Sequence, residues 1–370
     1  MSFSLTQDQA LLKDAADGFF ADKAPVSQWR KLRDSKTSFD AGLWEEIGAM
    51  GFVGAMVAEE HGGTDMGLRA LCLVLEAQAR GLGASPLFQT GLVGANAVGL
   101  LGDASQQAYC LPKIAAGEVT CALALDEGTH HRPDHIQTVA NKNDKGWSLS
   151  GAKAYVPDGG AADWLLVVAK MDDGLGVFVV DQQAAGVTRT PRGSVDGRDF
   201  ADITFDDTLV ADFMLLGQGP VDPDKLNLVA DIARLGTCAE MLGLIAASFE
   251  MTHDYLKTRT QFGQLIGSFQ GLQHRAAAML VEIELTRSCV LDAIGRLESG
   301  KSAPDSVSLA KARTGDTLHL VTNEMIQMHG GIGMTDAHDS GFYIKRARVL
   351  EAQYGSSAYH RDRWAKLNGY

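Results

Sequence analysis

The sequence predicts an α+β protein in three parts, and three changes of pattern carry that prediction. Residues 1–117 keep helical apolar spacing, broken at short glycine-rich turns. Residues 118–212 switch to short alternating or β-rich runs (TCALAL, WSLSGAKAYV, WLLVVAK, GVFVVD, DITFDD) split by Gly, Asp and Asn clusters. Residues 213–370 return to long helical segments, with loops at 259–267, 300–304 and 330–333. A chain of 370 residues is long enough for two or three cores, and 45% hydrophobic with 21% charged residues is a globular balance.

The N-terminal segment lacks the basic stretch and apolar run of a secretory leader and reads as a first helix. Thr6 and Gln9 have capping-box spacing, and Leu11, Leu12, Ala15, Ala16, Phe19 and Phe20 fall on one face. A second helical pattern runs through Leu43–Ile47, a turn follows at His61-Gly62-Gly63, and a long helix is expected from Gly67 to Arg80. About six strands with no helix between them then suggest a small β-barrel or sandwich. In the C-terminal region, 226–257 and 270–298 carry more apolar residues than one stripe needs. The expectation is a four-helix bundle that buries a subunit interface, in a dimer or tetramer. No repeat or low-complexity tract is present.

Charge and cysteine usage exclude several classes of function. A net charge of −13 opposes nucleic-acid binding, so an anionic ligand must be met by local positive groups. No apolar run approaches the roughly 20 residues of a membrane span. The five cysteines are scattered, without Cys-x-x-Cys spacing, which suits a reducing cytoplasm and argues against zinc or redox work. His130, His131 and His135 have no second ligand cluster at metal-binding spacing, so a solvated β-loop and no metal are expected. Glu59-Glu60-His61 reads as a helix terminus. Lys345, Arg346, Arg348, Arg361 and Arg363 form a basic patch with two open readings: a solvated face, or a surface that meets a partner subunit or a nucleotide phosphate.

The stretch RTQFGQLIGSFQGLQHR, Arg259–Arg275, interrupts a helical pattern at Phe262-Gly263 and resumes it at Ile266, Phe269 and Leu272. Some fifty residues on comes Gln327-Met-His-Gly330-Gly331-Ile-Gly333. These two segments, in this order and within this domain texture, resemble the C-terminal signatures of the acyl-CoA dehydrogenase family. GFVGAMVAEEHGG, LPKIAAGEVTCALALDE and GAKAYVPDGGAADWLLVVA extend the likeness over essentially the whole chain. The resemblance implies that family's fold, an FAD cofactor, an acyl-CoA substrate and electron-transfer flavoprotein as electron acceptor. It also implies that one subunit grips a flavin seated mainly in its neighbour. Arg259, Gly330 and Gly331 suit a pyrophosphate, Phe262 an aromatic ring, and Gln270 and Gln327 the ribose and adenine.

The family's reaction needs a carboxylate to remove a proton from the acyl thioester while the flavin takes a hydride. One usual base position aligns with Tyr354, in Gln353-Tyr354-Gly355-Ser356; the other, just ahead of Arg234, holds Ala233. Asp231 and Glu240 are the nearest acids to the vacant helix position, and Glu240 lies two turns on along the same face. Glu240 and Arg234 are therefore the candidate catalytic residues, with a second reading open in which Glu240 is paired to an arginine. The flavin seat of the β region departs from the family too. Asp126-Glu127-Gly128 replaces a Thr-Glu-Pro run, Arg132 stands at a small-hydroxyl position, and Tyr155 and Pro157 replace the tryptophan and threonine beside the ring. This pattern resembles the small subunit of heterotetrameric acyl-CoA dehydrogenases that act on bulky thioesters, steroid-derived or dicarboxylic. Three readings of function follow: a working dehydrogenase, a non-catalytic partner completing a paralogue's FAD site, and a flavoenzyme of the same fold with different chemistry.

Overall fold

The computed structural model describes residues 4–370. Six helices come first: α1 (Gln7–Lys23), α2 (Val26–Asp34), α3 (Ala41–Ala49), α4 (Gly67–Arg80), α5 (Ala95–Leu101) and α6 (Ala104–Ala115). Seven strands follow: β1 (Cys121–Ala124), β2 (Val139–Asn143), β3 (Gly146–Pro157), β4 (Trp164–Met171), β5 (Gly174–Asp181), β6 (Val187–Pro191) and β7 (Phe200–Val210). The chain then forms α7 (Pro223–Thr258), the hairpin strands β8 (Thr260–Gln261) and β9 (Gln264–Leu265), α8 (Gln270–Glu298), α9 (Pro304–His329), α10 (Ser340–Ala352) and α11 (Ser357–Leu367). By their contacts these residues make two compact units. One takes the segments ending at Arg30, Cys72–Gly83 and Arg234–Tyr370; the other takes Lys31–Leu71 and Ala84–Ala233.

The first unit is helical. Thr6 and Gln9 close the expected capping box, each side-chain oxygen accepting the other's backbone N–H at 3.2 Å. Of the six residues expected on one face, Ala16 and Phe20 are buried, whereas Leu11 is 62% exposed. Gly243 lets α7 press on α4: a Cβ there would stand 2.2 Å from the Glu76 carbonyl oxygen. Arg287 of α8 returns to Glu76 with hydrogen bonds of 3.0 and 3.2 Å. The α8–α9 contact carries a buried Thr286–Thr317 hydroxyl pair at 2.7 Å. The core stripe of α9 is Val307, Ala310, Thr314, Leu318, Val321 and Met325, and Lys311 lies on it, fully buried.

The second unit holds the strands in one curled seven-stranded sheet, ordered β1-β4-β2-β3-β7-β6, with β5 also on β4. That path curls one sheet through the middle region, where the β-runs predicted strands with no helix between them. β2–β3 and β4–β5 are antiparallel hairpins, while β1 runs parallel to β4 from Cys121↔Trp164. Leu149, Leu165, Val167, Phe178, Val180 and Ile203 fill its core. A buried helical turn, Phe88–Gly94, satisfies β1: Thr90 Oγ1 accepts the Cys121 N–H at 3.0 Å and Gln89 Oε1 the Leu123 N–H at 3.3 Å. β3 carries two register shifts against β7, and Tyr155 sits in the second with a φ of 52°.

Candidate active site

The interruption at Phe262-Gly263 is a two-residue hairpin turn between β8 and β9 with both residues at positive φ, 53° and 80°. Glycine adopts this freely; phenylalanine does so at a cost of about 1–2 kcal/mol. The side chain held there is 91% exposed and meets Phe269 edge-on at 6.2 Å. Arg259, at the root of the hairpin, is exposed, and its guanidinium makes no ion pair or hydrogen bond among the described residues. Gln270 is exposed at the first position of α8.

The second signature is tied to the first by one ring contact. Tyr255, in the last turn of α7, stacks on His329, the last residue of α9, with centroids 4.4 Å apart. Arg259 follows four residues after Tyr255 and Gly330 directly after His329, so the stack brings both segments to one end of the helical unit. Gln327 is exposed there. Gly330 turns the chain at φ 63°, ψ −139°, a conformation open essentially to glycine alone. A Cβ on Gly330 or Gly331 would meet nothing within 4 Å. The chain's own packing therefore leaves that space free, and bare backbone is what a close-lying phosphate requires.

Arg234, Tyr354 and Glu240, considered for catalysis, lie elsewhere in the helical unit. Arg234 is buried, and its Nε donates to the Tyr354 carbonyl at 3.4 Å. Tyr354 is 7% exposed at φ 54°, and His360 Nε2 meets the same carbonyl at 3.0 Å. Lys311 Nζ donates to the carbonyls of Leu350 at 3.2 Å and Gly355 at 2.9 Å, so a cation closes the C-terminal end of α10. Burial pushes the Lys311 ammonium down to about 8. Burial, with Arg234 and Lys311 nearby, pushes His360 down to about 2, so it stays neutral. Glu240 is 6% exposed and takes both its hydrogen bonds from Arg346 Nη2, at 3.2 and 3.4 Å. Ala233 and Asp231 are buried in α7.

In the sheet unit the positions beside a family flavin are engaged. Asp126 Oδ2 contacts His131 Nδ1 at 2.8 Å, and its Oδ1 accepts the Arg132 N–H at 3.0 Å. Glu127 accepts from Lys153 Nζ at 2.7 Å; burial pushes that lysine down to about 8 despite the carboxylate. The Arg192 guanidinium lies 5.5 Å over the Tyr155 ring, and Asp202 holds both Arg192 Nε, at 2.6 Å, and the Tyr155 N–H, at 3.0 Å. Pro157 has no N–H to offer. These groups do not fit an isoalloxazine stacked on Tyr155. Sequence reasoning missed Arg192 and Lys311; for Lys311 a signal existed, since it continues the Val307–Thr314 apolar stripe.

Family models match nearly the whole chain: the acyl-CoA dehydrogenase N-terminal domain over residues 6–118, the middle domain over 124–208 and the C-terminal domain over 228–367. The chain belongs to the acyl-CoA dehydrogenase family. It is 28% identical to the short-chain-specific acyl-CoA dehydrogenase of Megasphaera elsdenii, over 96% of this chain and 97% of that one. The solved butyryl-CoA dehydrogenase of the same organism superposes with a TM-score of 0.93 at 26% identity, all of both chains being covered. A steroid ACAD, Tcur3481–Tcur3483, matches with a TM-score of 0.89 at 31% identity over 98% of both chains. The ChsE4–ChsE5 complex of Mycobacterium tuberculosis shares the fold, with a TM-score of 0.93 at 24% identity.

Acyl-CoA dehydrogenases are FAD oxidoreductases, and FAD is the cofactor here. The residues that would hold it are those of the hairpin end: Arg259, Phe262 and Gln270, with Gln327, Gly330 and Gly331, all on the exposed or half-exposed surface of that end. Among the described residues no helix is long and apolar enough to cross a membrane, and no three potential ligands gather to hold a metal.

Proposed function

We propose that this chain takes part in the α,β-dehydrogenation of a bulky acyl-CoA, steroid-derived or dicarboxylic, as the subunit that completes the FAD site of a larger paralogue. The observation that carries this reading is the hairpin, where Phe262 is 91% exposed beside an unpaired Arg259, a surface shaped for something outside the chain. FAD, when bound, accepts the hydride. Arg259 would hold its pyrophosphate as a charged donor, Gly330 and Gly331 would allow close backbone approach, and Phe262 would cover an aromatic ring. The proton-abstracting carboxylate would come from the partner, because Ala233 and the buried Tyr354 fill both usual positions and Glu240 is held by Arg346. A tyrosine, with an ordinary pKa of about 10, is a poor base near neutrality.

Exposed apolar residues on α8 (Leu280, Val281, Leu285) and α9 (Leu309, Leu320) would cover one another in a dimer or tetramer. Electron-transfer flavoprotein would reoxidise the flavin. Five free cysteines suit a reducing, cytoplasmic setting. The bulky substrate class rests on the 31% identity to the steroid ACAD.

The visible spectrum tests the subunit reading. Expressed alone, the chain should purify with little or no flavin absorbance; co-expressed with its paralogue, it should enter a yellow hetero-oligomer. A chain that alone carries near-stoichiometric FAD and reduces it with an acyl-CoA would overturn the reading and return the base to Glu240 or Asp231.

A further inference from the structure

Arg259 and the Gly330–Gly331 turn sit just past the ends of two different helices, α7 and α9, and a cofactor gripped by both needs their spacing fixed. We propose that a stack of three rings, Tyr255, His329 and His338, sets that spacing and makes these three the positioning residues of the FAD grip. The inference rests on the reading that the hairpin end holds FAD.

His329 is the centre of the stack. It is 3% exposed, with the Tyr255 ring on it at 4.4 Å and the His338 ring at 4.5 Å between centroids. Its Nδ1 meets the Met325 carbonyl, one turn back on α9, at 2.7 Å; a carbonyl only accepts, so Nδ1 carries the proton and the ring is tethered. Burial, and after it the neighbouring His338, holds His329 below the usual histidine range. A neutral ring can lie between two others without repulsion.

Each outer ring is joined to one of the two segments. On the hairpin side the Tyr255 carbonyl accepts the Arg259 N–H at 2.9 Å, and the Arg259 carbonyl accepts the Ile266 N–H at 2.9 Å. The root of the hairpin therefore hangs on the residue that stacks. On the glycine side His338 Nδ1 meets the Ser340 hydroxyl at 2.9 Å, and that buried hydroxyl donates to the Gly333 carbonyl at 3.0 Å.

The glycine turn has two unlike sides. A Cβ on Gly333 would stand 3.0 Å from the His329 Cβ and from the Ile326 carbonyl oxygen, whereas one on Gly330 or Gly331 would meet nothing within 4 Å. The inner side is packed on the stack, and the outer side is open. Arg30 holds the following loop from α2: it donates to the Asp336 carbonyl and to Asp339 Oδ1, both at 2.7 Å, and lies 4.6 Å over the Phe342 ring. Both segments are thus fixed before any ligand arrives, so binding does not have to order them.

Two measurements test this: FAD affinity of the assembled enzyme, read from flavin fluorescence, and amide hydrogen exchange of the free chain. His329→Ala should weaken FAD about tenfold and speed exchange over residues 330–334, while His329→Phe, which keeps the ring faces, should stay within about threefold of the parent in both. Ser340→Ala, a milder change that serves should His329→Ala not fold, should weaken FAD about threefold through the lost Gly333 bond. Val290→Ala, a buried change in the second half of α8, should lower the melting temperature and leave FAD affinity unchanged. Equal weakening in His329→Ala, His329→Phe and Val290→Ala would reduce the stack to general packing and overturn the inference. Arg259→Ala separates it from the reading beneath it. If that variant loses FAD while His329→Ala and Ser340→Ala keep it, the stack positions nothing and the grip stands; if all three keep FAD, the hairpin end is not the grip and both fall.

Discussion

Phe262-Gly263 and Tyr354-Gly355 are the same local object in opposite surroundings. Each is an aromatic residue followed by glycine, both at positive φ: 53° and 80° in one, 54° and 106° in the other. Both aromatic residues carry the same backbone penalty. Around Tyr354 the helical unit answers it: Arg234 and His360 hold its carbonyl, and Lys311 holds the next one. Around Phe262 there is an edge-on ring contact with Phe269 and otherwise solvent. Strain braced on every side is architecture. Strain left unbraced on a surface points to a contact the chain does not itself supply, which is why the hairpin, and not the Tyr354 turn, anchors the functional reading.

Replacing Arg259 breaks the unbraced side most severely. In the assembled enzyme Arg259→Ala should lower FAD affinity at least tenfold, the scale of a charge-assisted bond of about 1.5–3 kcal/mol, with an unchanged melt. Full FAD retention would make Arg259 an ordinary surface residue.

Acid tests the braced side. His360 stays neutral in the fold because its pKa falls to about 2, while in the unfolded chain it charges near 6.5. Between those values the unfolded state binds more protons, so stability falls as pH drops below about 6.5, by up to about 1.4 kcal/mol per pH unit. Urea unfolding from pH 7 to 5 should show that slope, and His360→Gln should remove it. An identical slope in the variant would mean other groups carry the acid sensitivity.

Phe262→Asn sharpens the contrast with a smaller effect of two signs. Asparagine tolerates left-handed backbone, so the free chain should gain up to about 1 kcal/mol. FAD affinity should meanwhile drop about two- to tenfold through the lost ring contact. A variant that gains stability and keeps its FAD would show that the exposed ring serves no partner.

The smallest effect is expected at Glu240. Glu240→Gln keeps a hydrogen-bond acceptor for Arg346, so flavin reduction in the assembled enzyme should stay within about twofold of the parent. A slowing of the roughly 10²–10⁴ associated with a missing general base would reinstate Glu240 as the proton acceptor.

Local features were legible in the sequence, and features created by distant pairing were not. The capping box at Thr6, the helix from Gly67 to Arg80 and the break at Phe262 each depend on a few neighbouring residues. The curl of the sheet depends on strand order, which places β2 between β4 and β3 and which no run of alternating residues encodes. Arg192 reaches Tyr155 because β6–β7 pairing aligns Thr190 with Asp202, the carboxylate that holds both groups. Arg346 looked like part of a basic surface patch because its helical neighbours are charged; its partner Glu240 lies 106 residues away on α7. Lys311 was hidden by its own charge, since a lysine on an apolar stripe is usually read as a break in the pattern.

That lysine also gives the protein a built-in reporter. Burial lowers the pKa of Lys311, so an amine-selective reagent would find more of the reactive free amine there than on an ordinary lysine, yet sealed from solvent beneath the end of α10. Exposed lysines such as Lys301 would be modified at once, whereas Lys311 could be modified only when α9 and α10 part. The labelling rate at this position therefore counts openings of the helical unit, and its response to a bound partner would measure how firmly assembly clamps that end of the protein.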